Sequence, residues 1–515
     1  MTIALALLLP LLAAALMMWR SARAYVLAFT PWIPLAALPV AVAPPATVEI
    51  DFLLLGMRFG LEPWSQVLLA GTALLWTCAG WALRLSGTVT TPRLLAWHLS
   101  LAGNLGAILA MDAPGFYLFF ALTSLAAYGI LVNTRRARRA GWLYLVVALL
   151  GELLLLAGLL LLTLEVTGPI TAALLLFGLG AKLGILPLHF PLPPAYAATD
   201  AAGAAVFGGG LTLAAVAGWL RFLPGVQPQP ELGEYALIAG LATAFAAALA
   251  GMLQRNSRAL LGYSTISQMG ILTAGLGLTL ASPTPIAAAP LAFFAVHHGL
   301  NKAALLLGTG SSGRLVFAGL VLLSLALAGV PLSSGAVAKA WLESMAAAPA
   351  LADTAHRWLP FTSTATALLM AKFLWLTRKA QHSGLQAPFL ALALLALIAP
   401  WAGIYYLHPS PGELIKFGAA IWPLVIAAAI LAIGWPLRNW LGRWHLPPGD
   451  LAVLDKPVVQ ALRKLLGFWR GRELPRLPRL YRLAPERLEQ QLRTLPVTGL
   501  ALFALLLAFA VALSL

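Results

Sequence analysis

GLGAKLGILPLHFPLPPAY, residues 178–196, and LAGVPLSSGAVAKAWLESM, residues 327–345, decide the reading of this chain. Each lies in an apolar run near the roughly 20 residues that cross a bilayer core of about 30 Å, yet each carries a lysine. In the first, Gly180 and Gly184 flank Lys182, and Pro187, Pro191, Pro193 and Pro194 follow, so the helix must break or end irregularly. In the second, Lys339 follows an interruption at Gly329 and Pro331. Matching broken helices in two halves are what an inverted-repeat transporter offers as its ion site, because unwound backbone exposes carbonyls to a wet cavity. The two runs lie five helices apart in the count below, and an odd separation gives the second unit the opposite topology.

Composition agrees with a membrane setting. Of 515 residues, 61% are hydrophobic and 10% charged, against about 25% charged in soluble domains. A water-soluble globular protein is excluded, and the apolar runs leave no soluble domain over. The net charge of +16 would raise nucleic-acid binding in a soluble protein, but the basic residues fall in loops between apolar runs and so belong to the membrane surface. The single cysteine, Cys78, sits in an apolar run as a small hydrophobe, which excludes disulfides and thiolate metal sites within the chain. No basic residue precedes the run 2–18 and no small-residue cleavage site follows, so a first transmembrane helix is expected there, not a removed signal peptide.

About sixteen transmembrane helices are expected, at residues 2–18, 24–43, 64–83, 94–111, 115–132, 141–163, 168–190, 201–222, 234–252, 260–280, 286–309, 315–345, 359–377, 386–407, 415–434 and 496–514. Cytoplasmic loops are richer in Lys and Arg, which tests the count. Short loops after odd-numbered helices hold Arg20, Arg23, Arg84, Arg93, Arg135, Arg136, Arg138, Arg139, Arg255, Arg258, Arg314, Arg378 and Lys379, whereas loops after even-numbered ones hold only Arg58, Arg221 and Arg357. Odd loops are therefore expected in the cytoplasm, with both termini on the outer side of a bacterial-type inner membrane. Residues 435–495 form one long basic stretch, with Trp440, Trp444, Phe468, Trp469 and Tyr481 among its charges and prolines at 447, 457, 475, 478 and 485. Short amphipathic helices lying at lipid headgroups suit it, a solvated connector being the alternative.

Five lysines fall inside the apolar runs: Lys182, Lys302, Lys339, Lys372 and Lys416. A lysine at bilayer centre costs about 2.5–3.5 kcal/mol on insertion scales, so such residues face a polar pathway or a partner. Lys416 opens its helix and can snorkel. In HHGLNKAALLLGTG, residues 297–310, His298 and Lys302 stand four apart on one helix face. Histidine titrates near neutrality and a desolvated lysine releases its proton more readily, so this pair could pass protons in steps. For His189 and His297, an interior histidine satisfied by hydrogen bonds is as good a reading as a relay role. Glu152, in LLGELLLLAGLLLL at 149–162, is the one deeply placed acid of the first half and needs a partner, for which Lys182 is the candidate.

These segments, taken together, resemble the antiporter-like subunits of respiratory complex I, membrane-bound hydrogenases and Mrp-type sodium/proton antiporters. Lys182, Pro187, Leu188 and His189, with the trailing Arg221, are similar to that family's Lys, Pro, Leu, His signature. RALLGYSTISQMGILTAGLG at 258–277, HGLNK and GVPLSSGAVAK are similar to its later motifs, and the likeness covers roughly residues 110–345. The resemblance implies an all-α membrane fold with two inverted five-helix units, 94–222 and 234–377, after N-terminal helices in 1–90 and before helices in 386–434, the lateral segment 435–495 and a last helix in 496–515. It implies a proton path through Lys182, His298, Lys302 and Lys339, with Glu152 and Lys372 as additional members. Two positions depart from the pattern: Ala121 stands where a glutamate is usual, and Leu213 where a lysine is usual. Either Glu152 replaces the missing carboxylate or only the second half conducts.

The function implied is a proton-translocating subunit of a redox-driven complex, with other membrane subunits as partners and protons as cargo, sodium being the alternative. Cysteine clusters and a Gly-rich nucleotide loop are both missing from the sequence, so no redox centre, metal or other cofactor is expected on this chain. A subunit of a cation/proton antiporter, the membrane half of a two-part inorganic carbon uptake system, and a scaffold with a dead path are the competing readings.

Overall fold

The computed structural model describes residues 2–50, 56–87, 89–132, 137–283, 285–345, 349–378, 384–434, 436 and 446–449. Nearly all of the lateral stretch 435–495, and the last expected helix at 496–514, lie outside the described residues. Within them the chain is mostly helical, and helices overlie the first fifteen apolar runs. Eight helices are long and apolar enough to cross a membrane among the described residues, or nine if Arg20–Phe29 and Ile33–Val42, bent by 63°, form one span.

The shortfall from sixteen has a physical pattern. Helices Thr91–Leu109, Ser257–Leu280 and Ala288–Gly308 have the length but carry polar side chains along their faces, and those faces are buried almost throughout. They are enclosed by other helices, whereas Arg138–Thr163 and Pro411–Gly434 are mostly exposed and nearly pure hydrocarbon. The two lysine-bearing runs fall short for a different reason, because each breaks. Helix Pro169–Leu183 stops at Gly184, whose φ of 75° is the left-handed conformation that glycine adopts without penalty. Its amide and that of Ile185 both close on the Gly180 carbonyl, and the chain turns before restarting as Leu192–Ala198. Helix Arg314–Ala328 stops in the same way at Gly329, φ 90°, with the Val330 amide on the Leu325 carbonyl. It restarts as Ser334–Glu343, whose first turn is capped by the Ser333 side chain. A further irregularity, a π turn at Val206–Gly210, interrupts the run that begins at Ala201 and ends at Phe222.

Ion pairs mark the two ends of that interrupted helix, roughly 30 Å apart at 1.5 Å per residue. At its start Asp200 pairs with Arg93 at 2.5 Å, and Arg258 donates to the Thr199 carbonyl and to Thr309. At its end Arg221 pairs with Glu62 at 2.9 Å and donates to the Ala110 carbonyl. Arg93 and Arg258 thus meet at one end and Arg221 lies at the other, the same division that their loops make in the charge count. A small antiparallel hairpin, Val48–Ile50 with Met57–Phe59, sits at the Arg221 end and was not expected from the sequence. The Arg58 amide there donates to Asp112 at 2.6 Å.

Small residues set the helix spacing. Helix Arg138–Thr163 approaches Pro169–Leu183 so closely that a Cβ at Gly178 would lie 2.6 Å from the Leu155 amide nitrogen. In the second half, a Cβ at Gly270 would lie 2.6 Å from the Ala244 amide nitrogen. Both contacts are to backbone, which cannot give way. Gly178→Leu should therefore pry apart the pair that carries Glu152 and Lys182, at the 1–3 kcal/mol or so typical of overpacking. A thermal unfolding midpoint in detergent that matches the unmodified protein would contradict this packing.

Candidate functional site

Lys182 occupies the last turn of the first broken helix, where the αL cap at Gly184 turns the chain away. Its ammonium lies over the Phe120 ring, 3.8 Å from the centroid, and donates to the Phe120 carbonyl at 3.4 Å and to the Ser124 hydroxyl. Glu152 faces the same hydroxyl from the next helix and feels the Lys182 charge. The carboxylate is buried, and one of its oxygens has no hydrogen-bond partner. Lys182, Ser124 and Glu152 therefore form one cluster in which the serine stands between acid and base. Ala121 lies on the same helix as Ser124, one turn earlier, and is half-buried.

Lys302 is completely enclosed, at 0% exposure, and its amine is held by the Ser264 hydroxyl at 2.5 Å. One turn back on the same face, His298 is equally enclosed and neither ring nitrogen has a hydrogen-bond partner. Its neighbour His297 is better satisfied. The Asn301 amide nitrogen donates to the His297 carbonyl at 2.9 Å, which fixes the amide's orientation, and also reaches His297 Nδ1 at 3.2 Å. The Ser334 hydroxyl, 2.8 Å from the same Nδ1, docks the second broken helix against this histidine.

Lys339 follows one turn later on that broken helix. Its amine donates to Ser363 at 2.9 Å and to the Ala328 carbonyl at 3.3 Å, the latter at the end of the helix that stops at Gly329. Electrostatic neighbours link this half: Lys302 and His297 act on His298, Lys339 acts on His297, and Lys339 and Glu343 act on each other. Glu343 in turn faces His356 and Lys416.

Not every candidate joins this line. Lys372 lies nine residues beyond Ser363 on helix Pro349–Thr377, about 13 Å further along the axis. It stacks over Trp375 at 4.7 Å and lies near Arg255, away from the Lys339 cluster. His189 is buried in the turn after the first break, its carbonyl accepting from the Leu192 amide. Leu213 is fully buried and packs on Gly299, beside His298, so an apolar contact stands between the two halves where a lysine is usual. Sequence reasoning missed the hydroxyls that receive each amine, Ser124, Ser264 and Ser363, and it missed Glu343. That glutamate stands four residues after Lys339, a same-face spacing that could have marked it.

The family model for the transmembrane region of NADH:quinone oxidoreductase and Mrp antiporter subunits matches residues 110–314. Over those residues, less than half of its length, the chain is similar to antiporter-like membrane subunits. A Na(+)/H(+) antiporter subunit of Alkalihalophilus pseudofirmus is 30% identical over 238 residues, 42% of this chain and 48% of that protein. Hydrogenase-4 component B of Escherichia coli is 28% identical over 235 residues, 40% of this chain and 35% of that protein. The chain thus spans about half or less of the length of these relatives. In fold it is similar to the Mrp complex from Dietzia sp. DQ12-45-1b, at a TM-score of 0.75 and 19% identity over 100% of this chain and 63% of the other. It is also similar to the archaeal membrane-bound sulfane sulfur reductase, at 0.71 and 20% identity over 97% of this chain and 100% of the other. The matched residues contain Lys182 and Lys302, and Lys339 lies beyond them.

Burying an amine with one hydroxyl for company is costly, so Lys302→Met should leave the subunit as stable or more so, with a gain no larger than about 2.5–3.5 kcal/mol. A marked fall in the unfolding midpoint would show instead that the amine contributes to the fold.

Proposed function

We propose that this antiporter-like subunit translocates protons within a larger redox-driven membrane complex. The observation that carries the reading is the second-half line from Lys302 through His298 and His297 to Lys339. Four titratable groups there are buried in the bundle's interior, and the amines are held by hydroxyls that can accept or return a proton. An interior lysine with no structural ion pair is a functional residue by default in a membrane protein. Lys182, with Glu152 replacing the carboxylate at Ala121, supplies a first-half station, and Glu343 extends the line beyond Lys339. Lys372 acts outside this line, and His189 serves the turn that positions Lys182.

Two inverted units at 94–222 and 234–377 would account for the twin breaks, and sixteen spans would place both termini on the outer side of an inner membrane. The partners are other membrane subunits, with lipid headgroups at 435–495, and the redox chemistry belongs to those partners. The multisubunit character of the two similar structures supports an assembled state. The sodium/proton antiporter relative favours a second reading, in which a cation gradient replaces electron transfer as the driving force. Purification of the chain with its natural partners separates them: flavin and iron–sulfur subunits are expected, and small antiporter subunits alone would select the second reading.

Transport tests the path itself. Replacing Lys302 or Lys339 by Met keeps apolar bulk while removing the titratable group, so assembly should survive and proton uptake into vesicles should fall to background. Lys182→Met should reduce uptake as strongly if Glu152 has restored the first half, and little if that half is idle. Normal uptake by an assembled Lys339→Met complex would sink the second-half path.

A further inference from the structure

Between Asp200 and Arg221 the interrupted helix carries no titratable side chain, and it lies between the Lys182 cluster and the Lys302 cluster. Leu213 closes its face against Gly299. A proton passing from one half to the other must therefore go around this helix, and two buried tyrosines contact the π turn that interrupts it. Tyr144, on the Glu152 helix, donates to the Ser124 carbonyl at 3.3 Å, beside the hydroxyl that holds Lys182. Tyr196, on the short helix after the first break, donates to the Phe207 carbonyl at 3.2 Å. Phe207 belongs to the π turn, and its ring meets the Tyr144 ring edge-on at 5.2 Å between centroids. Both tyrosines thus contact one residue, Tyr144 through its ring and Tyr196 through its hydroxyl. The Tyr196 hydroxyl also bonds the Thr265 side chain, and Thr265 adjoins Ser264, which holds the Lys302 amine. Tyr144 is 6% exposed and Tyr196 is 0% exposed, so neither hydroxyl is there to meet bulk solvent.

We propose that Tyr144 and Tyr196, gathered on Phe207 at the π turn, carry protons between the Lys182 and Lys302 clusters and so bypass Leu213. The inference rests on the proton-translocating reading of the site. Each phenol works by hop and turn: its oxygen receives a proton from one side as its own O–H proton leaves to the other, and the hydroxyl then rotates back. No net charge stays on either ring, at each phenol one O–H bond forms as another breaks, N–H bonds change only at the lysines, and the route requires water to bridge the two hydroxyls. A π turn suits this role because its widened hydrogen-bond pattern leaves carbonyls for side chains to use, and such turns recur at functional sites. The Gly210 carbonyl of the same turn accepts from Asn104 at 3.0 Å, which anchors it.

The test compares Tyr144→Phe, Tyr196→Phe and Lys302→Met in the assembled complex, in vesicles energised by whichever force moves protons in the unmodified complex. Assembly is checked for each variant, and electron transfer or sodium exchange is followed beside proton uptake. Both phenylalanine variants should assemble and lose proton uptake by on the order of 10²-fold, the scale of one positioned proton-transfer group. Lys302→Met abolishing uptake while both phenylalanine variants pump normally would overturn the tyrosine route and leave the lysine path standing. Normal uptake in Lys302→Met would instead remove the reading on which the route rests. If a phenylalanine variant fails to assemble, 3-fluorotyrosine at position 196 keeps ring, hydroxyl and hydrogen bonds but makes the phenol more acidic. A changed uptake rate with unchanged assembly is then expected, and an unchanged rate overturns the proposal.

Discussion

A lysine amine has three donors and an interrupted helix has unpaired carbonyls, and neither can turn to water inside a bundle of apolar helices. The structure answers both demands at one place. Lys339 donates to the Ala328 carbonyl, which stands where helix Arg314–Ala328 stops, and takes Ser363 as its second acceptor. Lys182, in the turn before its own break, takes instead the Phe120 carbonyl and Ser124 on the unbroken helix Ala113–Leu131. Left alone, the broken backbone or the buried amine would each cost several kcal/mol. At Lys339 the two offset each other, so that break and that lysine depend on one another.

The halves meet this constraint unequally. Lys182 rests on an aromatic face and shares Ser124 with an acid, an arrangement that stabilises its charge from three directions. Lys302 has one hydroxyl and a neighbouring imidazole with no hydrogen-bond partner. Groups so poorly compensated are retained at a cost to the fold, which is the reason to look for their use in transport and not in stability. Ser124 and Ser264 are matched in role although not in sequence context, and each belongs to a helix pair held close by glycine.

Much of this was readable in the sequence. Gly184 and Gly329 announced the breaks because glycine followed by proline leaves a helix few ways to continue, and the four-residue spacing of His298 and Lys302 required a shared face. The charge count separated Arg93 and Arg258 from Arg221, and the ion pairs at the two ends of one helix make the same separation. What stayed hidden was carried by residues with no sequence signature of their own. A serine in an apolar helix usually bonds its own backbone, as Ser124 also does through the Phe120 carbonyl at 2.9 Å. Only packing shows that Ser124, Ser264 and Ser363 each receive an amine. The π turn is equally silent, since Val206–Gly210 contains nothing that distinguishes it from an ordinary glycine-rich helix. Lys372 lies apart from the other lysines in a way hydropathy does not show, near a helix end and stacked over Trp375.

A transporting bundle must also hold a gradient, and a hydrogen-bonded chain complete from one surface to the other would dissipate it. Two features oppose such a leak. Leu213 on Gly299 is an apolar contact at the junction of the halves, and His298 beside it makes no hydrogen bond through either nitrogen. The line of titratable groups is therefore electrostatically continuous but not hydrogen-bonded end to end. Transfer across the junction needs a change in His298 or in the groups around it, and a barrier of that kind can be coupled to an outside driving force. The elements around it, an αL-capped break on one side and a π turn on the other, are points where a helix has more than one way to pair its backbone. The same irregularities that accommodate the lysines also make the junction the place where the bundle is least committed to a single arrangement.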